Sequence, residues 1–76
     1  GSLSLVIPAY NEAENLAALL AECDAELSAL IADGWITSAE ILVIDDASTD
    51  DSWPRLQALQ AEYPRLRIHR NPQNLG

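Results

Sequence analysis

Lysine, phenylalanine and methionine are absent from this 76-residue sequence, and cysteine and histidine occur once each. With a single cysteine, Cys23, no internal disulfide can form, and the composition fits a reducing compartment. His69 has no cysteine or second histidine near it in sequence, so no His/Cys metal set is apparent. The only cations are four arginines, set against twelve acidic residues, for a formal charge of −8. This balance opposes nonspecific attraction to nucleic acid or anionic lipid, and no nucleic-acid partner is expected. An acidic nucleotide held through a divalent cation stays compatible, because the ion reverses the local field. No apolar run approaches the ~18 residues of a membrane span and no secretory leader is visible, so the segment is expected to be soluble. Glycine is also scarce. No Gly-x-Gly-x-x-Gly and no Walker A loop follows the first apolar run, which argues against a dinucleotide oxidoreductase and a P-loop nucleotide triphosphatase. Ser48 has no assembled base partner, so a hydrolase triad is unsupported.

What remains is an ordered alternation of apolar runs and acidic turns. Hydrophobic residues make up 49% of the chain, which excludes disorder. A chain this short forms one domain at most and buries roughly 60% of its unfolded surface, so a modest core is expected. Strands are predicted at about 3–9, 40–45 and 66–70, and helices at about 12–33 and 51–63. Asn11 is the expected N-cap of the first helix, with Glu14 placed as in a capping box. Leu16, Leu19, Leu20, Cys23, Leu27, Leu30 and Ile31 follow at helical spacing as its buried stripe, with Cys23 as inert filler. Gly34 is the expected stop. Trp35 to Ala39 read as a linker whose apolar members fold back on the sheet. The second strand is almost continuously apolar, as in a parallel strand covered on both faces. Pro54 is tolerable only in the first turn of the second helix. In the third strand Leu66, Ile68 and Arg70 point one way, with Arg67 and His69 the other; Asn71 to Gly76 read as loop. The order β-α-β-α-β predicts a parallel half-sheet with right-handed crossovers, and an exposed edge or face open to self-association.

Two acidic markers end successive strands: Val6-Ile7-Pro8-Ala9-Tyr10-Asn11-Glu12 and Leu42-Val43-Ile44-Asp45-Asp46-Ala47-Ser48-Thr49-Asp50. Open α/β sheets bind ligands beyond the carboxyl ends of their strands, so both markers are expected to border one crevice. Pro8 and Ala9 offer a rigid wall, and Tyr10 a surface for a flat base; the alternative is a plug beside the first helix. Asp45 and Asp46 are neighbours, so their side chains project to opposite faces and do not chelate one ion together. One carboxylate can accept a hydrogen bond from a base N–H or a ribose hydroxyl, while the other orders the loop. Asp50, Ser48 or Thr49 can cap the second helix. Glu12 can reach ribose or a base edge, or simply favour the helix dipole. Arg67 and Arg70 can reach phosphate, whereas Arg55 and Arg65 read as solvated. The competing reading is that these acids only order a turn.

With these two motifs, and with Arg70-Asn71-Pro72-Gln73-Asn74-Leu75-Gly76, the chain resembles the start of an inverting family 2 glycosyltransferase of the GT-A fold. Within that family it looks like polyprenyl-phosphate sugar transferases of the dolichyl-phosphate mannose synthase type. The resemblance implies that residues 1–76 are the nucleotide-binding part of a Rossmann-like domain whose C-terminal part is missing. It implies that Pro8, Ala9, Tyr10 and Glu12 line the nucleotide pocket. Asp45 would meet the base, the imide N–H of uracil or the corresponding edge of guanine, and Asp46 would lie beside the ribose. Asp50 would support the loop and its helix. The donor would be a UDP- or GDP-sugar and the acceptor a polyprenyl phosphate or a glycan. The parent would work in the cytoplasm or on the cytoplasmic face of a membrane. Mn2+ or Mg2+ would be bound mainly beyond Gly76, and the catalytic base also lies outside these residues, so the segment alone is expected to be inactive. A noncatalytic binding or assembly module on the same half-fold is the alternative. The family commonly has glycine where this chain has Ala47; a left-handed backbone there would make alanine costly.

Overall fold

The computed structural model describes residues 1–72; the tail of the third motif, 73–76, lies outside the described residues. Strand β1 (Ser2–Ala9) is followed by helix α1 (Ala13–Ala32), strand β2 (Ser38–Asp46), helix α2 (Ser52–Glu62) and strand β3 (Leu66–Asn71). The strands form one parallel sheet in the order β1-β2-β3. This is the expected β-α-β-α-β half-sheet. Both β2 and β3 extend further than expected: β2 starts at Ser38, and Asn71 is the last residue of β3, paired with Asp46, rather than loop.

Alternation along the strands separates two faces. Ile41, Val43 and Asp45 of β2 are buried, and the register sets them beside Leu5, Ile7 and Ala9 on one side and Leu66, Ile68 and Arg70 on the other. Leu16, Leu20 and Leu27 of α1 and Leu56 of α2 pack on this face and complete the core. Each fully buried aliphatic side chain stabilises by roughly 1.5–3 kcal/mol relative to exposure. The opposite face carries Val6, Pro8, Leu42 and Ile44, and no described element covers it; Val6 is 54% exposed. The expected double cover of β2 is therefore corrected among the described residues, because both helices lie on one side. For the same reason the α1 stripe is narrower than expected. Leu19 and Leu30 are exposed, as α1 meets a partner on one flank only.

Helix α1 ends as expected. Gly34 takes φ +82°, Gly34 N–H donates to the Ile31 carbonyl, and Trp35 N–H donates to that of Leu30. This paired pattern satisfies the last carbonyls and needs a left-handed residue after the cap. Of the linker's apolar members Ile36 packs on the core, but Trp35 is 76% exposed. Arg65, expected to be solvated, instead donates to Asp24 (2.7 Å) and Ser28 (2.9 Å). With the Arg65 and Asp24 side chains each 26% exposed, this pair ties α1 to the start of β3. Pro54 sits in the first turn of α2, where its missing N–H costs nothing. No helix among the described residues is long and apolar enough to cross a membrane.

Candidate functional site

The register places Ala9, Asp45 and Arg70 abreast at the carboxyl end of the sheet, with Asp46 beside Asn71. Beyond them the Tyr10–Glu12 loop and the Ala47–Asp51 loop run side by side. The two acidic markers thus share one end of the sheet. Tyr10 is 46% exposed, Ala9 is buried in the core cluster, and Pro8 and Glu12 are exposed. Asp45 is fully buried, on the helix-covered face. Asp46 is half-buried on the open face. The opposite orientation of the neighbouring carboxylates follows from the strand continuing through both residues.

Asp45 is the most buried acid of the site. Its Oδ1 accepts a hydrogen bond from Ser48 Oγ. Its Oδ2 is buried and accepts none from the described residues. The nearest cation is Arg70, whose Nε stands 4.0 Å from Oδ2, at the outer limit of an ion pair. Arg70 also lies over the Trp53 ring, 5.7 Å from its centroid, so its guanidinium is stacked rather than forked onto the carboxylate. A buried carboxylate oxygen without a donor is costly and is a ready acceptor for an N–H or O–H brought to it. Asp46 Oδ1 is likewise buried without a donor.

Ser48 and Asn11 have roles that local sequence signals did not reveal. Ser48 does not cap α2; it accepts from Asn11 N–H (2.9 Å) and donates to Asp45. Asn11 is not the N-cap of α1. Glu12 holds that position, without a side-chain cap, and Asn11 is turned to φ +49°. The first donors of α1 are satisfied from the other loop and the start of α2 instead: Glu12 N–H by Ser52 Oγ (3.1 Å) and Ala13 N–H by Asp50 Oδ2 (3.3 Å). Asp50 Oδ1 meanwhile accepts from Ser52 N–H (2.9 Å), so one carboxylate serves the starts of both helices. The hydrogen bond from the Ser52 hydroxyl, followed by those of the backbone donors, holds the Asp50 carboxyl below the ordinary carboxylate range. Residues separated by 37–40 positions make these contacts, which is why spacing within one motif could not disclose them. Ala47 adopts φ +55°, the left-handed conformation in which alanine is strained.

His69 and Arg67 lie on the open face, opposite Ile44 and Leu42, and Arg67 donates to the Pro64 and Leu66 carbonyls. One hollow lies at the amino ends of the strands, near Ser4, Glu40 and Arg67, and another lies between the helices at Ala17 and Ala58. Neither is lined by residues of the two acidic loops. Among the described residues no three His, Cys, Asp or Glu side chains converge as metal ligands. Asp45 and Asp46 face apart, so the described residues do not fit a complete Mn2+ or Mg2+ site.

Comparison with known proteins matches residues 4–76 to the family model described as glycosyl transferase family 2. A dolichol-phosphate mannosyltransferase of Pyrococcus furiosus is 40% identical over 68 residues, covering 90% of this chain and 17% of that protein. A dolichyl-phosphate beta-glucosyltransferase of Trichomonas vaginalis is 29% identical over 73 residues, covering 96% of this chain and 22% of that protein. The chain thus spans about a fifth of the length of these relatives. A parallel half-sheet of Rossmann-like type, ending in two stitched acidic loops, agrees with that match over nearly its whole length, and the chain belongs to glycosyl transferase family 2.

Proposed function

We propose that this chain supplies the base and ribose side of a donor pocket in an enzyme that transfers a sugar from a nucleoside-diphosphate sugar, with inversion. The observation that carries the reading is the buried Asp45 carboxylate, with Oδ2 lacking a donor, abreast of Ala9 and next to the exposed Tyr10 loop. In this reading Asp45 accepts from the imide N–H of uracil or the N–H edge of guanine, which selects bases that present a donor there. Tyr10 packs on the base, with Pro8 and Ala9 as the wall behind it. Asp46 and Glu12 face ribose hydroxyls. Burial makes the Asp45 contact discriminating: a base without an N–H leaves Oδ2 without a hydrogen-bond donor.

The remainder of the chemistry belongs to residues other than those described. A divalent cation serving the donor diphosphate would take its ligands there, as would the base that deprotonates the acceptor. The relatives' names support a polyprenyl phosphate as acceptor, and with it work at a membrane surface. Residues 1–76 by themselves turn over no nucleotide-sugar in this reading. The test is Asp45→Ala in the full-length protein, titrated with donor and acceptor separately. Donor affinity should fall about tenfold or more, as for a lost charged hydrogen bond of roughly 1.5–3 kcal/mol, with acceptor affinity unchanged. Equal donor affinity in the variant would remove Asp45 from the pocket.

A further inference from the structure

Asn11, in the middle of the first loop, is bonded to the second at three successive residues. Its Oδ1 accepts from Thr49 N–H (2.8 Å) and Asp50 N–H (3.2 Å), and its Nδ2 donates to Thr49 Oγ1 (3.2 Å). Its own N–H donates to Ser48 Oγ, which in turn donates to Asp45. One residue therefore ties Tyr10, its chain neighbour, to the loop that follows Asp45. We propose that Asn11 is a positioning residue for the donor pocket: it sets the spacing between Tyr10 and Asp45 without touching the nucleotide. The proposal rests on the donor-site reading above.

Three demands converge on asparagine at this position. The backbone is left-handed, at φ +49°, which asparagine, aspartate and glycine tolerate better than other residues. The side chain must reach two consecutive amides, which an Asx carbonyl oxygen does. The group should also be neutral, because Glu12, Asp45, Asp46, Asp50 and Asp51 already crowd this end of the chain. Glycine meets the first and third demands but has no carboxamide to reach the amides, and aspartate meets the first two only. Loss of the carboxamide would free the Thr49 and Asp50 amides and the loop that carries them. Small displacements of positioned groups in binding sites cost large factors in affinity and rate.

The experiment measures GDP and UDP affinity by calorimetry in the full-length wild-type protein and in Asn11→Ala, Asn11→Gly, Asn11→Asp and Asp45→Ala variants. Hydrogen exchange at Thr49 and Asp50 is followed in parallel. We expect Asn11→Ala and Asn11→Gly to bind the favoured nucleotide about tenfold more weakly and to lose protection at both amides. Asn11→Asp, which retains the acceptor but loses the Nδ2 donor and adds a charge, should bind more weakly than wild type and more tightly than Asn11→Gly, with the two amides still protected. Asn11→Gly relieves the positive φ and so carries the test if Asn11→Ala fails to fold. Wild-type affinity in Asn11→Gly, alongside weakened binding in Asp45→Ala, would overturn the positioning role and leave the donor site standing. Wild-type protein that binds neither nucleotide, or Asp45→Ala that binds as wild type does, would overturn both.

Discussion

Ala47→Gly should stabilise the protein, although it deletes a methyl group. Ala47 follows the last residue of β2 and turns the chain at φ +55° toward Ser48. In that conformation an L-residue's Cβ crowds the following carbonyl oxygen, at a cost of about 1–2 kcal/mol. Glycine removes the crowding but makes the unfolded chain more flexible, which returns about 0.5–1 kcal/mol. Ala47 is half-buried, so losing its methyl subtracts a few tenths of a kcal/mol more. The balance is a gain of about 0.5 kcal/mol. With a urea slope of ~1–3 kcal/mol/M the unfolding midpoint should rise by roughly 0.2–0.5 M at unchanged slope. Ala47→Val supplies the opposite arm, since a branched side chain is a genuine outlier at positive φ and should lower the midpoint. A lower midpoint for glycine, or valine equal to alanine, would refute the left-handed turn and the loop path built on it.

Two further outcomes follow from the titrating groups. Asp50 has a depressed folded pKa, caused first by the Ser52 hydroxyl; its contribution to stability is therefore complete above its unfolded value of about 3.9 and is lost as pH falls through the folded one. Urea midpoints should separate wild type from Asp50→Asn at pH 7 and converge in acid below about pH 4; a gap that widens in acid would contradict the sign. Burial, then Glu22 and Glu26, pushes the Cys23 thiol up, so alkylation at pH 8 should be slower than for a free cysteine, and a rate equal to that of a free thiol would refute the placement.

Elements set by local pattern were legible in the sequence, and contacts between distant residues were not. The alternation Leu66/Ile68/Arg70 against Arg67/His69 carries strand β3 directly, and Gly34 marks the end of α1 because no other residue there takes φ +82° without strain. The family pattern raised the left-handed turn at Ala47. Asn11, by contrast, carries a capping-box spacing with Glu14 that the fold does not use. The donors of α1 are reached by Asp50 and by Ser52 at the start of α2, some forty residues away, and the Asn11 carboxamide is bonded to the loop that carries Asp50. Helical periodicity included Leu19 and Leu30 in the stripe because spacing reports one face, not how much of it is covered. Arg65 looked like surface charge until α1 brought Asp24 and Ser28 to it. Within the site, strand ends revealed which carboxylates stand at the crevice. Only the three-dimensional register disclosed that Asp45 is buried, held by Ser48, and left with one free acceptor.

The donor site is tested most directly by following backbone amide resonances of the full-length protein while GDP or UDP is added. Shifts should concentrate at residues 8–12 and 45–50, and Asp45→Ala should need about tenfold more nucleotide to reach them. Shifts confined to the other end of the sheet, around Ser4, Ser38 and Glu40, would show that the nucleotide is held elsewhere and that Asp45 is only a structural acid.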